Sequence, residues 1–200
     1  MQPKYFNLLT PAYDRFGKQA WGLRFPWIPE EIDFRSQGRL AGLWNARTFA
    51  FSTYRSDSQE REKLDFPEVF EEGIHACSER MAKTLEAVAP GAIEFLPFRT
   101  RNSVGDDQTD AYRLMHYLQW CDAIDRKKSR LAEGETRFTR SRQTGGDYLL
   151  DHVVVVTNKL SSPICRLVGW SEYHVFREDV VEALNMAGYT GLDFEEIEVS

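Results

Sequence analysis

Apolar residues fall along this chain in short blocks, and their spacing switches between two and three-to-four residues. KYFNLL, residues 4–9, mixes aromatic and aliphatic side chains that suit a pleated surface and predicts a short strand. Phe49 and Phe51 alternate with small residues and predict another. Ile74, Cys77, Met81, Leu85 and Val88 recur at spacings of three and four, which predicts one helix over about 67–89. Acids in its first turns complement the helix dipole, and Pro90-Gly91 ends it. AIEFLPFRT then reads as a strand.

Tyr112, Leu114, His116 and Leu118 alternate, so the first half of 111–121 reads as a strand, although Leu114, Leu118 and Cys121 also fit a helix face. The β-branched run Val153–Val156 predicts a strand over 152–157 buried on both faces. PICRLVG predicts a further short strand. Val175 and Phe176 lead into a helix over about 177–186, with Val180, Val181, Leu184 and Ala187 on its apolar face. Gly188 suits the left-handed residue just past its end. GLDFEEIEV predicts a last strand, with a bulge near Glu195-Glu196 because its apolar positions do not alternate strictly. Residues 55–66, 102–110 and 125–148 read as polar connectors. These elements predict an α+β fold: a mixed or mainly antiparallel sheet packed by two or more helices. The N-terminal region is irregular and aromatic-rich, broken by Pro26 and Pro29. One domain is expected over 1–200, with 1–60 a variable lobe and 67–200 the core.

Charge adds direction. The net charge is -6. Residues 171–200 hold eight acids (Glu172, Glu178, Asp179, Glu182, Asp193, Glu195, Glu196, Glu198) against Arg177 alone, a local -7. Residues 126–142 reverse the sign, with seven bases against Glu133 and Glu135. An acidic chain is a poor general binder of nucleic acid, whose affinity rests on cations. A basic protein partner fits the acidic end better. Cys77, Cys121 and Cys165 lie far apart, as free thiols of a reducing compartment do. MQPKYFNLL is no signal peptide, and the longest aliphatic run, Val153–Val156, cannot span a bilayer. A cytoplasmic protein with no membrane contact is expected.

The stretch HYLQWCDAIDRKKSR, residues 116–130, holds most of the candidate chemistry. Cys121 with His116 would make a nucleophile and base, but a strand points residues 116 and 121 to opposite faces, and a small buried hydrophobe is the simpler role for Cys121. Asp122 and Asp125 share a face of any helix or turn. With His116 they could serve a metal-dependent hydrolase or nuclease. The preferred reading is structural: Asp122 suits an N-cap, and Asp125 a pairing with Arg126 or a nearby backbone amide. His75, His116, His152 and His174 are too dispersed for a metal motif, so no metal or cofactor is expected. TGGDY (144–148) lacks the Lys-Ser/Thr of a phosphate loop, and Phe138 is the one aromatic within the basic stretch, too few to stack bases. Trp21, Trp27 and Trp44 suit either core cover or an exposed hot spot for a partner, with core the preferred assignment because large aromatics carry so much buried area.

The C-terminal third carries a resemblance. VFREDVVEALNMAGYTGLDFEEIEV (175–199) is similar to the closing segment of immunity protein family eleven of bacterial polymorphic toxin systems. The likeness rests on Val175-Phe176, Ala183-Leu184, Ala187-Gly188, and Thr190-Gly191-Leu192 with Phe194 and Val199. Upstream, MHYLQWCDAIDRKKS resembles the family's strand and turn, here Asp122, Ala123, Ile124, Asp125, Arg126 and Ser129. PICRLVGWSEYHVF resembles its strand pair, and the 67–89 segment with PGAIEFLPF its preceding unit. The likeness covers about 67–200. The paired CxxCG motifs of some relatives are missing, which sets a metal-binding subgroup aside. The resemblance implies a protein that binds and neutralises a cognate toxin domain by occlusion, without catalysis. Arg126, Lys127, Lys128 and Arg130, with Glu195, Glu196 and Glu198, are the candidate contact residues. A general interaction scaffold is the other alternative, and a homo-oligomer is left open.

Overall fold

Tyr5, Phe6 and Leu8 give residues 5–9 an apolar side chain on each face of a strand, the pattern of a strand covered on both faces by packed layers. The computed structural model describes residues 3–9, 22–25, 28, 32–34, 38–44, 48–53, 65–69, 74–101, 107–108, 112–132 and 150–200. Among these the chain forms β1 (Tyr5–Leu9), β2 (Gly22–Arg24), β3 (Phe49–Thr53), β4 (Glu68–Val69), β5 (His75–Ser78) and helix α1 (Glu79–Val88). Next come β6 (Ile93–Pro97), β7 (Arg99–Arg101), β8 (Asp107–Gln108), β9 (Tyr112–Tyr117), β10 (Trp120–Cys121) and β11 (Arg130–Leu131). The last elements are β12 (Leu150–His152), β13 (Val154–Val155), β14 (Ile164–Leu167), β15 (Trp170–Arg177), helix α2 (Glu178–Met186), β16 (Asp193–Glu196) and β17 (Glu198–Val199).

The principal sheet has the order β10-β14-β15-β1-β16. The first strand therefore lies between two of the last, Asn7 pairing with Val175 on one side and Glu195 on the other. One face of this sheet, with Leu8, Ile164 and Phe176, packs on α1, α2 and the three-stranded sheet β5-β9-β6. The other face, with Tyr5, Cys165, Leu167 and Val175, packs on Ala123, Ile124, Val155 and Ile197. A third cluster fills the far side of β5-β9-β6, where Ala76, Leu96 and Leu114 meet Leu23, Phe25 and Ala50 of the sheet β4-β2-β3-β7-β8. The fold is α+β, and its ladders are mostly antiparallel, with β10/β14, β2/β4, β3/β7 and β13/β17 parallel. No helix among the described residues is long and apolar enough to cross a membrane.

Several elements differ from the sequence-based expectation. The helix expected over 67–89 is only Glu79–Val88. Its start is set by Ser78, whose Oγ accepts from the Met81 N–H at 3.2 Å and donates to Asp65 Oδ1 at 2.7 Å. Upstream, His75–Ser78 pairs antiparallel with β9. His75, Ala76 and Cys77 are buried on both faces, so their apolar pattern has no period of two and imitates a helix face. The strand expected over 152–157 breaks at Val153, because β12 pairs with β11 and β13 with β17. The final strand is likewise two strands rather than one bulged strand. Ile197 separates them, its side chain buried and its N–H donating to the Tyr5 carbonyl at 2.9 Å. Asp107–Gln108, read as part of a turn, pairs with β7. Helix α2 forms where its apolar spacing places it, and Gly188 follows it at φ 65°. Trp21, Trp27, the glycine loop 144–148, Phe138 and most of 55–66 lie outside the described residues.

Leu8 is 3 % exposed and faces both helices. Leu8→Ala is expected to cost about 2–5 kcal/mol, read as a lower urea midpoint with an unchanged slope.

Candidate functional site

His116, the candidate base, is fully buried on β9. Its Nε2–H donates to the Gly38 carbonyl at 2.8 Å, and Nδ1 has no hydrogen-bond partner among the described residues. Burial is the first cause of a lowered pKa, which keeps the ring neutral. Beside it Glu94 accepts from the Leu40 N–H at 2.6 Å and the Ala41 N–H at 3.4 Å, and Trp44 Nε1–H donates to the Pro97 carbonyl at 2.6 Å. These three side chains pin segment 38–44 to the middle sheet. A buried polar group costs several kcal/mol unless it is hydrogen-bonded, so each pairing also fixes where the loop lies.

Between the middle and principal sheets lies a polar row that sequence spacing does not reveal. His75 Nδ1 and the Tyr117 hydroxyl share a hydrogen bond of 2.8 Å. The His174 ring lies 4.4 Å from the His75 ring and 4.2 Å from the Tyr117 ring, centroid to centroid. Arg166, 1 % exposed, donates to the Phe34 carbonyl at 2.7 Å and lies 5.0 Å over the Trp120 ring. Burial, reinforced by the Arg166 charge, pushes the His75 pKa down to about 3.

Cys121 lies in another sheet from His116, so the two are separated by a change of sheet rather than by the pleat of one strand. Cys121 is buried in one cluster with Cys165, and its Sγ lies 3.6 Å from the Ser161 hydroxyl. A hydrogen bond with the Cys165 thiol, together with contacts to Ser161 and Ser162, outweighs burial and holds its pKa below the usual thiol value. The same hydrogen bond, with burial, pushes the Cys165 thiol up. Cys77 is pushed up by burial.

The turn after Cys121 is built on Asp125. Its Oδ1 accepts from the Lys127 and Lys128 N–H groups at 3.0 and 3.3 Å, and its Oδ2 from the Ser200 hydroxyl at 2.8 Å. The Ser200 bond, then the amides, hold this carboxyl below its ordinary pKa. The expected cap, Asp122, is instead exposed and 3.5 Å from Arg126. It precedes a buried Ala123 whose carbonyl is taken by the Val156 N–H, so the chain is still extended there and has no turn amides to cap. Ser129 completes the turn. Its Oγ accepts from the Val154 N–H at 3.0 Å and lies 3.2 Å from the Val154 carbonyl, which also accepts from the Asp125 N–H at 2.8 Å.

Asp122, Asp125 and His116 are thus held by three different sets of partners and do not converge. Among the described residues no group of three His, Cys, Asp or Glu side chains could hold a metal ion. What the structure does bring together is the turn and the C-terminal strand, which flank β13: Ile124 bridges to Val155 on one side and Glu198–Val199 pairs with Val154–Val155 on the other. Arg126, Lys127, Lys128 and Arg130 are exposed on the turn and the start of β11, Glu198 is exposed on β17, and Glu195 and Glu196 are exposed on β16, a strand of the principal sheet. Arg130 pairs with Asp151 at 3.0 Å and His152 with Glu198 at 3.1 Å.

The model of the immunity protein family Imm11 matches residues 27–199, a range that takes in this strand, turn and closing segment. The chain belongs to the Imm11 immunity protein family. The Imm11 match begins well upstream of residue 67 and so takes in the pinned segment 38–44. No curated protein matches the chain.

Two outcomes follow for this Imm11 member. Ser129→Ala leaves the Val154 N–H buried without its partner and is expected to cost about 1–3 kcal/mol in chemical unfolding, whereas the exposed Asp122→Ala leaves the midpoint unchanged. His75 is kept neutral by the fold at a pKa of about 3 but titrates near 6.5 when unfolded. The unfolded chain then binds more protons, so this stability is complete above pH 6.5 and is lost as pH falls toward 3. Unfolding free energy should decline from pH 6.5 to 5, above the carboxylate range, and the decline should be shallower in His75→Gln.

Proposed function

We propose that this Imm11 member binds a cognate toxin domain and neutralises it by covering the toxin's working surface, without chemistry of its own. The family match over residues 27–199 carries the reading. The placement of reactive side chains supports it. His116 is committed to Gly38, and Asp125 to its own turn and Ser200. The exposed groups are charges of both signs: Arg126, Lys127, Lys128 and Arg130 on the turn, and Glu195, Glu196 and Glu198 on the closing strands. Such groups steer and orient a partner rather than transform it. The local charge of -7 over 171–200 favours a basic toxin, as nucleases commonly are. Three free cysteines support action in a reducing compartment, the cytoplasm.

Co-expression with the toxin domain encoded beside this gene tests the reading. Cells should survive, the two chains should co-purify, and the toxin should leave the complex with its mass unchanged. Death of the cells without complex formation would remove the reading. A covalently altered toxin would replace occlusion with catalysis.

A further inference from the structure

Ile197 N–H donates to the Tyr5 carbonyl, and Asn7 faces Glu195 in the β1/β16 ladder. Backbone groups of successive strand residues point alternately to the two sides of a strand. Glu195 therefore points, like Ile197, toward β1, and the N–H and C=O groups of Phe194 and Glu196 point away from it. Among the described residues no strand pairs with that outer side, and β16 ends the principal sheet. An open edge is a template for another strand.

The side chains along it select which strand. Glu195 and Glu196 are both exposed. Among the described residues Lys4 reaches Glu196 at 2.9 Å, with both side chains 54 % exposed. Glu195 lies on the opposite face, near enough to Tyr173 to add to the burial that pushes that phenol up to about 12. A second copy of this chain pairing at the same edge would set carboxylates against carboxylates, and like charges directly opposite are destabilising. A strand bearing Lys or Arg at two adjacent positions meets a carboxylate on each face of the sheet instead. Only the incoming strand's backbone needs to match the outward groups of Phe194 and Glu196.

We infer that the outer edge of β16 is the docking site for an extended, cationic segment of the partner toxin, which joins the principal sheet as a sixth strand. This rests on the neutralisation reading and adds to it the surface and the mode of binding.

Amide hydrogen exchange on the full chain, free and bound to the purified, inactivated toxin domain encoded beside its gene, reads the edge directly. In the free chain the Phe194 and Glu196 amides should exchange fast, and those of Glu195 and Ile197 slowly. All four should be slow in the complex. The double variant Glu195→Lys/Glu196→Lys, with an unchanged circular dichroism spectrum, should bind about tenfold more weakly or worse, through like-charge contact. If the complex forms while the Phe194 and Glu196 amides keep their free rates, or if the double variant binds as the wild type does, the edge inference is overturned and the neutralisation reading stands. If the wild type neither binds nor neutralises the toxin, both fall together.

Discussion

The insertion of residues 5–9 between β15 and β16 is the constraint on which the rest of the protein depends. Without β1 the principal sheet is cut in two, because β16 has no other ladder among the described residues. Helix α2 also starts from it, since the Glu178 N–H donates to the Lys4 carbonyl at 2.9 Å. The face that carries Leu8 closes the cluster around α1 and α2, and the face that carries Tyr5 closes the cluster under the 122–129 turn. Both clusters therefore share one strand, whose pairing joins residues 5–9 to residues more than 160 positions away.

Polar side chains do the second part of the assembly. His116, Glu94 and Trp44 tie segment 38–44 to the middle sheet, and Arg166 reaches the Phe34 carbonyl. Asp65 does the same at the helices, accepting from Ser78 and Arg80 while its own N–H donates to Thr190. Each pairing satisfies groups that would be costly to bury alone. Residues that look reactive in sequence are therefore the ones that register irregular segments against regular ones. The same economy applies at the turn, where Asp125 and Ser129 join the chain near residue 125 to Val154 and to Ser200.

Legibility in the sequence followed burial. Strands β1, β9 and β14 and helix α2 announce themselves because one face differs from the other, or because apolar blocks end at turn residues. His75–Ser78 does not, because a strand buried on both faces carries no period. The division of labour between Asp122 and Asp125 was likewise hidden. Their spacing predicts a shared face, but which one caps depends on where the chain stops pairing with Val156. Ser200 as the partner of Asp125, and the row of His75, Tyr117, His174 and Arg166, arise only from topology. The four residues of the row come from β5, β9, β15 and β14, and Ser200 follows β17, so no local pattern links them.

The outer edge of β16 also bears on how such a protein can diverge. Glu195 and Glu196 are exposed, whereas Leu8, Phe176 and Ile197 around them are buried in the clusters. Substitution at the first two positions leaves packing untouched, while substitution at the others is penalised whatever the partner. Charge on this rim can therefore change with little effect on stability, while the layers beneath it hold the fold fixed.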